Sequence, residues 1–195
     1  MAYFCLDCEA SGPLPPDYNL LSIGVVVVRS TEVGHRTGAS WYRELRPIFD
    51  GFDAGALAVC GLDPARLAVE GVPPKDALLE LADWVRDEHG EDPGRPIFVG
   101  HNAVFDWAYV NHYFLYHGLE NPFGYKGIDS KSLAMGVLGL SWEATSKEVL
   151  APRLGLPPED PRAKHRADYD AEYQARLLAA LLDVLGPLDT VGGRF

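Results

Sequence analysis

The stretch YFCLDCE, residues 3–9, decides the fold because two acidic residues interrupt an otherwise apolar run. The run predicts a core strand in which Asp7 and Glu9 lie two positions apart, so both side chains point to the same face. A buried charge is costly unless it is paired or bound to a metal. Two carboxylates at the end of a buried strand therefore predict a site for divalent cations such as Mg²⁺, which take oxygen ligands.

The remaining pattern predicts a mixed α/β fold around this strand. Further strands are predicted at residues 20–29, 39–46, 96–100 and around Ile128, and helices at residues 54–60, 74–89, 103–117, 130–139, 145–154 and 168–185. Another short helical turn is predicted to start at Asp63-Pro64. Short loops between the early strands suit antiparallel pairing, and the later strands alternate with helices. A chain of 195 residues is expected to form one domain with a full core.

Two later segments also place acid among apolar residues. They are HNAVFD, residues 101–106, and HRADYDA, residues 165–171. Asp106 falls in the first turn of a predicted helix after a strand, and Asp170 falls near the start of the last long helix. Strand ends and helix starts are where an α/β sheet gathers a site, and the helix dipole favours carboxylates in a first turn. We therefore expect both carboxylates to join Asp7 and Glu9.

Together the three segments resemble the DEDDh group of 3′→5′ exonucleases, the DnaQ-like and RNase T-like family. The first motif of that family, Asp-x-Glu, is matched by Asp7 and Glu9. The second, Asn-x-x-Phe-Asp, is matched by residues 102–106, and the third, His-x-Ala-x-x-Asp-Ala, by residues 165–171. The motifs occur in the family's order, and the resemblance spans roughly residues 3 to 180.

The resemblance implies an RNase H-like fold. Its mixed five-stranded sheet has antiparallel first three strands and a parallel remainder, and it is flanked by helices. We expect a single exonuclease domain over residues 1–185 and a C-terminal tail over residues 186–195. The family's first motif commonly continues as Thr-Thr-Gly, whereas residues 10–12 read Ala-Ser-Gly here. This departure keeps Gly12. It concerns local backbone contacts to the substrate and leaves the metal ligands unchanged.

The resemblance also implies a two-metal hydrolysis of phosphodiester bonds at the 3′ end of single-stranded RNA or DNA, which releases nucleoside 5′-monophosphates. Asp7 would bridge two Mg²⁺ ions, with Glu9, Asp106 and Asp170 as the other ligands and Mn²⁺ as a substitute. His165 would be the general base, because a histidine titrates near neutral pH. A catalytically silent nucleic-acid-binding module with the same fold is the alternative, which the complete set of five residues disfavours.

Five residues are candidates for contacts with the substrate: Gly12, Leu14, Tyr18, Asn102 and Phe105. Asn102 either caps the helix that follows it or contacts the substrate. Phe105 is either a core residue or, as in the family, a neighbour of the terminal nucleotide. Leu14 or Tyr18, in the loop after Glu9, would wedge against the terminal base.

Other conspicuous side chains have structural interpretations. Cys5 and Cys8 form a Cys-x-x-Cys pattern, but strand positions three apart face opposite sides, so structural cysteines are expected rather than a zinc site. His101 is expected to support the loop before Asp106, and Asp168 to be a solvated charge or a helix cap. Five aromatic residues on the helix over 103–117 suit a core, and part of this set could bury against a second subunit, so a homodimer is left open.

The charge of the chain limits its partners. A net charge of −11 argues against a protein that coats long nucleic acids, and it suggests short or single-stranded substrates. The stretch from Lys147 to Arg166 is locally basic, either as a rim that holds phosphates or as a solvated loop. The chain contains no apolar run of about 18 residues, so no membrane span is expected. With no basic or cleavable leader visible at the N-terminus, a cytoplasmic location is expected.

Overall fold

A computed structural model describes residues 1–186 and builds them around one five-stranded sheet. Its strands are β1 (Ala2–Ala10), β2 (Leu20–Thr31), β3 (Gly34–Glu44), β4 (Ile97–Gly100) and β5 (Gly127–Asp129), in the order β3-β2-β1-β4-β5. Strands β1, β2 and β3 pair antiparallel, whereas β4 and β5 continue the sheet in parallel. The predicted mixed sheet is confirmed. Of the predicted tail, residues 187–195 lie outside the described residues.

The helices follow the predicted order. They are α1 (Ala54–Cys60), α2 (Pro64–Glu70), α3 (Pro74–His89), α4 (Ala103–Tyr116), α5 (Ser130–Leu138), α6 (Lys147–Arg153) and α7 (Ala167–Leu185), with a 3₁₀ helix at Trp142–Thr145. Strand β3 begins earlier than predicted, at Gly34 rather than residue 39, because a tight turn pairs Gly34 directly with Thr31. None of the residues it adds is buried, so they carry little of the apolar pattern that marks a buried strand.

The two faces of β1 pack against different helices. Phe4, Leu6 and Cys8 belong to the core cluster that also contains α3 and α4, whereas Tyr3 and Cys5 pack with α7. The alternation of side chains along a strand produces this division. Cys5 and Cys8 are therefore buried free thiols on opposite faces, as the strand spacing predicts.

Two buried tyrosines of helix α4 form hydrogen bonds at the two ends of the loop that follows β1. Tyr109, Tyr113 and Phe114 are fully buried, which confirms the core interpretation for these aromatic residues, whereas the side chain of Tyr116 is exposed. The Tyr109 hydroxyl donates to the Gly12 carbonyl at 2.7 Å, and the Leu20 amide donates to the Tyr113 hydroxyl at 2.8 Å. Within residues 1–186, no helix has both the length and the apolar character needed to cross a membrane.

Candidate active site

The five residues predicted to be catalytic meet in one cavity of about 480 Å³. They are Asp7, Glu9, Asp106, His165 and Asp170. The cavity opens where β1 and β4 end and where α4 and α7 begin. The strand ends and helix starts that the sequence selected are therefore adjacent in space.

Asp106 is held by the backbone of β1. It is buried in the first turn of α4, and its Oδ1 accepts a hydrogen bond from the Cys8 amide at 2.9 Å. Gly100 leaves room for the start of α4, because a Cβ at Gly100 would lie 2.9 Å from the Ala103 Cα and 3.3 Å from Asp106 Oδ2. Burial raises the pKa of Asp106 to about 8 in the metal-free protein.

The two carboxylates of β1 are destabilised in their charged form. Burial, followed by the charges of Asp106 and Asp170, raises the pKa of Asp7 well above its usual range. Burial and then the charge of Asp170 raise the pKa of Glu9 to about 7. A cluster of carboxylates with raised pKa values needs positive charge in order to ionise fully.

Gln174 orients Asp7, and the sequence analysis missed it. Its Nε2 donates to Asp7 Oδ1 at 2.5 Å, and its Oε1 accepts from the His101 amide at 3.2 Å. Gln174 is buried on α7, four residues after Asp170, so the two share one helix face. That spacing is the signal that could have identified it.

His165 and Asp170 line the side of the cavity formed by the start of α7 and the loop before it. His165 is exposed, its φ of 62° is left-handed, and its amide donates to Asp170 Oδ2 at 2.7 Å. Within residues 1–186, one ligand atom each of Glu9, His165 and Asp170 lie within 4.8 Å of one another. Left-handed backbone is costly for a non-glycine residue, and such strain concentrates at functional sites.

A series of ion pairs supports this side of the cavity. Lys147 Nζ lies 2.5 Å from Asp170 Oδ1 and 3.3 Å from Glu159 Oε1. Lys164 Nζ lies 3.0 Å from Glu159 Oε2, and the Glu159 side chain is only 4% exposed. Burial alone would lower the pKa of Lys147, but Asp170 and Asp7 raise it overall. Lys147 and Glu159 carried no motif, so the sequence analysis missed their roles.

These pairs change the interpretation of the basic stretch. Arg162 pairs with Asp160 and Arg166 with Asp168, in addition to the pairs of the two lysines. Because Lys147 and Lys164 are each bound by two carboxylates, these two lysines are not free cations of a phosphate-binding rim, whereas the side chain of Arg162 is 93% exposed. Asp168 is a surface charge in this arrangement, in line with its predicted role.

The donor set fits hard divalent cations. Four carboxylates converge, and the only ammonium among the described residues that contacts one of them is that of Lys147. Oxygen donors with excess negative charge suit Mg²⁺ or Mn²⁺. His101 lies outside the group of described residues whose ligand atoms come close enough to share one ion, and its Nδ1 lies 2.8 Å from Ser130 Oγ. Burial, then Lys147 and Lys131, lower its pKa to about 4.

The candidate substrate residues separate into two groups. Asn102 and Phe105 line the cavity, whereas Gly12, Leu14 and Tyr18 are not among its lining residues within the described chain. Gly12 lies under the Tyr18 ring, since a Cβ at Gly12 would approach a ring atom to 2.1 Å. Leu14 is 56% exposed in the same loop.

Asn102 does not cap α4 with its side chain, so that alternative is wrong. Its backbone is left-handed, with φ of 73°, and its side chain makes no capping hydrogen bond. Asp129 Oδ2 accepts instead from the Asn102 and Ala103 amides, both at 2.9 Å. Asp129 comes from the end of β5, a position that local sequence does not connect with α4.

The fold and the acidic cavity define the class of protein. The protein has an RNase H-like mixed sheet that carries a carboxylate-rich site. Residues 2–182 match the family described as the 3′-5′ exoribonuclease Rv2179c-like domain. The chain therefore belongs to this family of 3′-5′ exonucleases, and it is an enzyme of that class.

Two relatives agree with this assignment, and a solved structure agrees with the fold. The 3′-5′ DNA exonuclease Cap18 of Escherichia coli is 35% identical over 95% of this chain and 92% of its own length. Ribonuclease T of Marinobacter nauticus is 32% identical over 91% of this chain and 80% of its own length. The nuclease domain of 3′hExo, described as a DEDDh family member bound to rAMP, superposes with a TM-score of 0.78 at 14% identity. It covers 93% of this chain and 92% of that domain, a likeness that shows the fold alone.

Proposed function

We propose that this enzyme shortens single-stranded nucleic acid from the 3′ end by metal-dependent hydrolysis and releases nucleoside 5′-monophosphates. The observation that carries the proposal is the meeting of Asp7, Glu9, Asp106, His165 and Asp170 in one cavity. Membership of a 3′-5′ exonuclease family supports the direction of attack. The complete set of acidic residues disfavours a catalytically silent binding module.

The four carboxylates would hold two Mg²⁺ ions, for which Mn²⁺ can substitute. The charges of the other three carboxylates act on Asp7, and we assign it as the shared ligand, as the family resemblance implies, with Glu9, Asp106 and Asp170 completing the set. Two such cations lower the pKa of an attacking water and stabilise the departing 3′ oxygen. The cations would also remove the cost of ionising these buried groups.

His165 is proposed as the general base. Its side chain is exposed at the cavity, within reach of the oxygens of Glu9 and Asp170, and a histidine can accept a proton near neutral pH. The bond from its amide to Asp170 couples the position of this base to a metal ligand. Asn102 and Phe105 line the same cavity, and we propose that they contact the terminal nucleotide.

The sugar of the substrate is left open in this proposal. The family description names an exoribonuclease, whereas the relative from Escherichia coli is named a DNA exonuclease. We therefore propose single-stranded 3′ ends with either sugar as substrates. A cytoplasmic location and a homodimer stay predictions, and sedimentation analysis would test the second.

Digestion of matched 5′-labelled single-stranded RNA and DNA tests the proposal. We expect stepwise shortening from the 3′ end with Mg²⁺, none with EDTA, none for Asp7→Ala, and a strong reduction for His165→Ala. Asp168→Asn is the matched control, because Asp168 lies on the same helix but pairs with Arg166 at the surface. Failure of the folded protein to cleave either strand with Mg²⁺ or Mn²⁺ would overturn the proposal in favour of a silent binding module.

A further inference from the structure

An exposed tryptophan stands beside the cavity with a lysine on its ring. Trp142 begins the 3₁₀ helix that packs against α5, and it is 43% exposed. Lys131 Nζ lies 4.3 Å from the centroid of this ring. Lys131 belongs to the first turn of α5 and also lines the cavity of the candidate active site. The pair therefore connects the cavity with the outer surface.

Lys131 differs from the other lysines that line the cavity. Lys147 and Lys164 are each bound to two carboxylates. Lys131 forms no ion pair among residues 1–186, and its ammonium contacts an aromatic face instead. A cation held by a ring keeps its charge available to an anion that approaches from solvent.

We propose that Lys131 and Trp142 bind the part of the strand immediately 5′ of the scissile phosphate. Lys131 would bind a phosphodiester, and Trp142 would stack on the base beside it. This inference rests on the proposed function. Sites for single strands combine cations along the backbone with aromatic side chains for the bases, and stacking tolerates any sequence.

Charge explains why the strand needs this subsite. A polyanion has to leave a cavity lined by carboxylates on a protein with a net charge of −11. The divalent cations would bind the scissile phosphate, and Asn102 and Phe105 would contact the terminal nucleotide. Lys131 is the unpaired cation at the rim that can meet the next phosphate.

The chain offers a matched control pair at another site. Lys126 Nζ lies 5.5 Å from the ring centroid of Tyr125, which is 82% exposed. This pair lines a different cavity, beside Arg95 and Ile97 at the start of β4. It has the same chemistry as the Lys131–Trp142 pair without a place in the candidate active site.

The test is a length series of unlabelled oligonucleotides that compete with a labelled pentamer, measured by fluorescence anisotropy with Ca²⁺ in place of Mg²⁺. Trp142→Ala is expected to weaken binding of dimers and longer oligomers about tenfold, and Lys131→Met that of trimers and longer oligomers, because a dimer carries only the scissile phosphodiester. Both variants should leave nucleoside 5′-monophosphate binding unchanged. Lys131→Met should also lower the slope of log affinity against log salt by about one. Trp142→Phe should retain most of the affinity, and thermal melting checks the fold of each variant.

Three outcomes would overturn the inference. They are equal losses for mononucleotides and oligomers, losses of the same size for Tyr125→Ala and Lys126→Met, and unchanged oligomer binding by Trp142→Ala. The experiment needs no cleavage, so a failed subsite is distinguishable from a failed nuclease. A protein that degrades 3′ ends but shows one of these outcomes has the proposed function without this subsite.

Discussion

Asp106 and Asp170 occupy the same kind of position, the first turn of a helix, yet they are held in opposite ways. Asp106 accepts a hydrogen bond from the backbone amide of Cys8 in the central strand. Asp170 accepts hydrogen bonds from the ammonium of Lys147 and from the amide of His165, and both donors lie outside the sheet. One side of the site is therefore built by strand register and the other by side-chain charges.

This contrast indicates which part of the site is preorganised. On the sheet side, moving Asp106 requires a shift of β1 or α4, and both are packed in the core. On the loop side, Asp170 and His165 depend on the bridge from Lys147 through Glu159 to Lys164. Ion pairs of this kind are costly to break when one partner is removed, because the other charge stays buried.

The largest expected effect comes from Asp106→Asn. The amide oxygen can still accept from the Cys8 amide, but the charge for the metal is lost. Cleavage should fall below detection, whereas the metal-free protein should melt at a higher temperature at pH 8, since burial opposes ionisation of this carboxyl. Single-turnover cleavage and thermal melting measure the two effects. Activity close to that of the Asp168→Asn control would show that Asp106 is not a ligand.

Glu159→Gln tests the loop side. It removes the charge between Lys147 and Lys164 without changing the size of the side chain. Outer-shell partners of metal sites typically contribute about 10- to 100-fold, so cleavage should fall by about that factor. Hydrogen exchange in residues 157–166 should also become faster. Asp160→Asn, one residue away on a more exposed side chain, is the control. Slower cleavage without faster exchange would mean that Glu159 does not hold this loop.

The sheet side could be predicted from the sequence because its signals are local. Asp7 and Glu9 interrupt one apolar run, and Asp106 follows a short strand directly. The loop side was predicted only for His165 and Asp170, which share a motif. Lys147, Gln174 and Asp129 are polar residues with partners 23, 167 and 27 positions away along the chain, and Glu159 connects two lysines. The four-residue spacing from Asp170 marks the helix face of Gln174, but local periodicity carries no information about which distant residue a side chain meets.

A smaller effect is the pH dependence of stability in the metal-free protein. Folding raises the pKa of Glu9 to about 7 and of Asp106 to about 8, from ordinary values near 4. The folded state therefore binds protons more tightly than the unfolded chain, and stability falls as pH rises from about 4 to about 8. Mg²⁺ needs the ionised carboxylates, so it should raise the melting temperature more at pH 8 than at pH 6.

Thermal melts across this pH range, with EDTA or Mg²⁺, measure that dependence. Asp106→Asn should flatten the decline in the EDTA series, whereas Asp168→Asn should leave it unchanged. An equal gain from Mg²⁺ at both pH values would show that these carboxylates are already ionised at pH 6.

The smallest effect is expected for Asn102→Gly, which separates the backbone of Asn102 from its side chain. Glycine adopts the left-handed conformation of Asn102 freely, so stability should change by less than about 1 kcal/mol. Loss of a side-chain hydrogen bond to the terminal nucleotide, worth about 1 kcal/mol, should raise KM about fivefold with little change in kcat. Asn102→Ala should raise KM similarly but also destabilise the protein, because alanine is strained at this φ. An unchanged KM for Asn102→Gly would assign Asn102 to the turn before α4 alone and leave Phe105 as the cavity's contact with the terminal nucleotide.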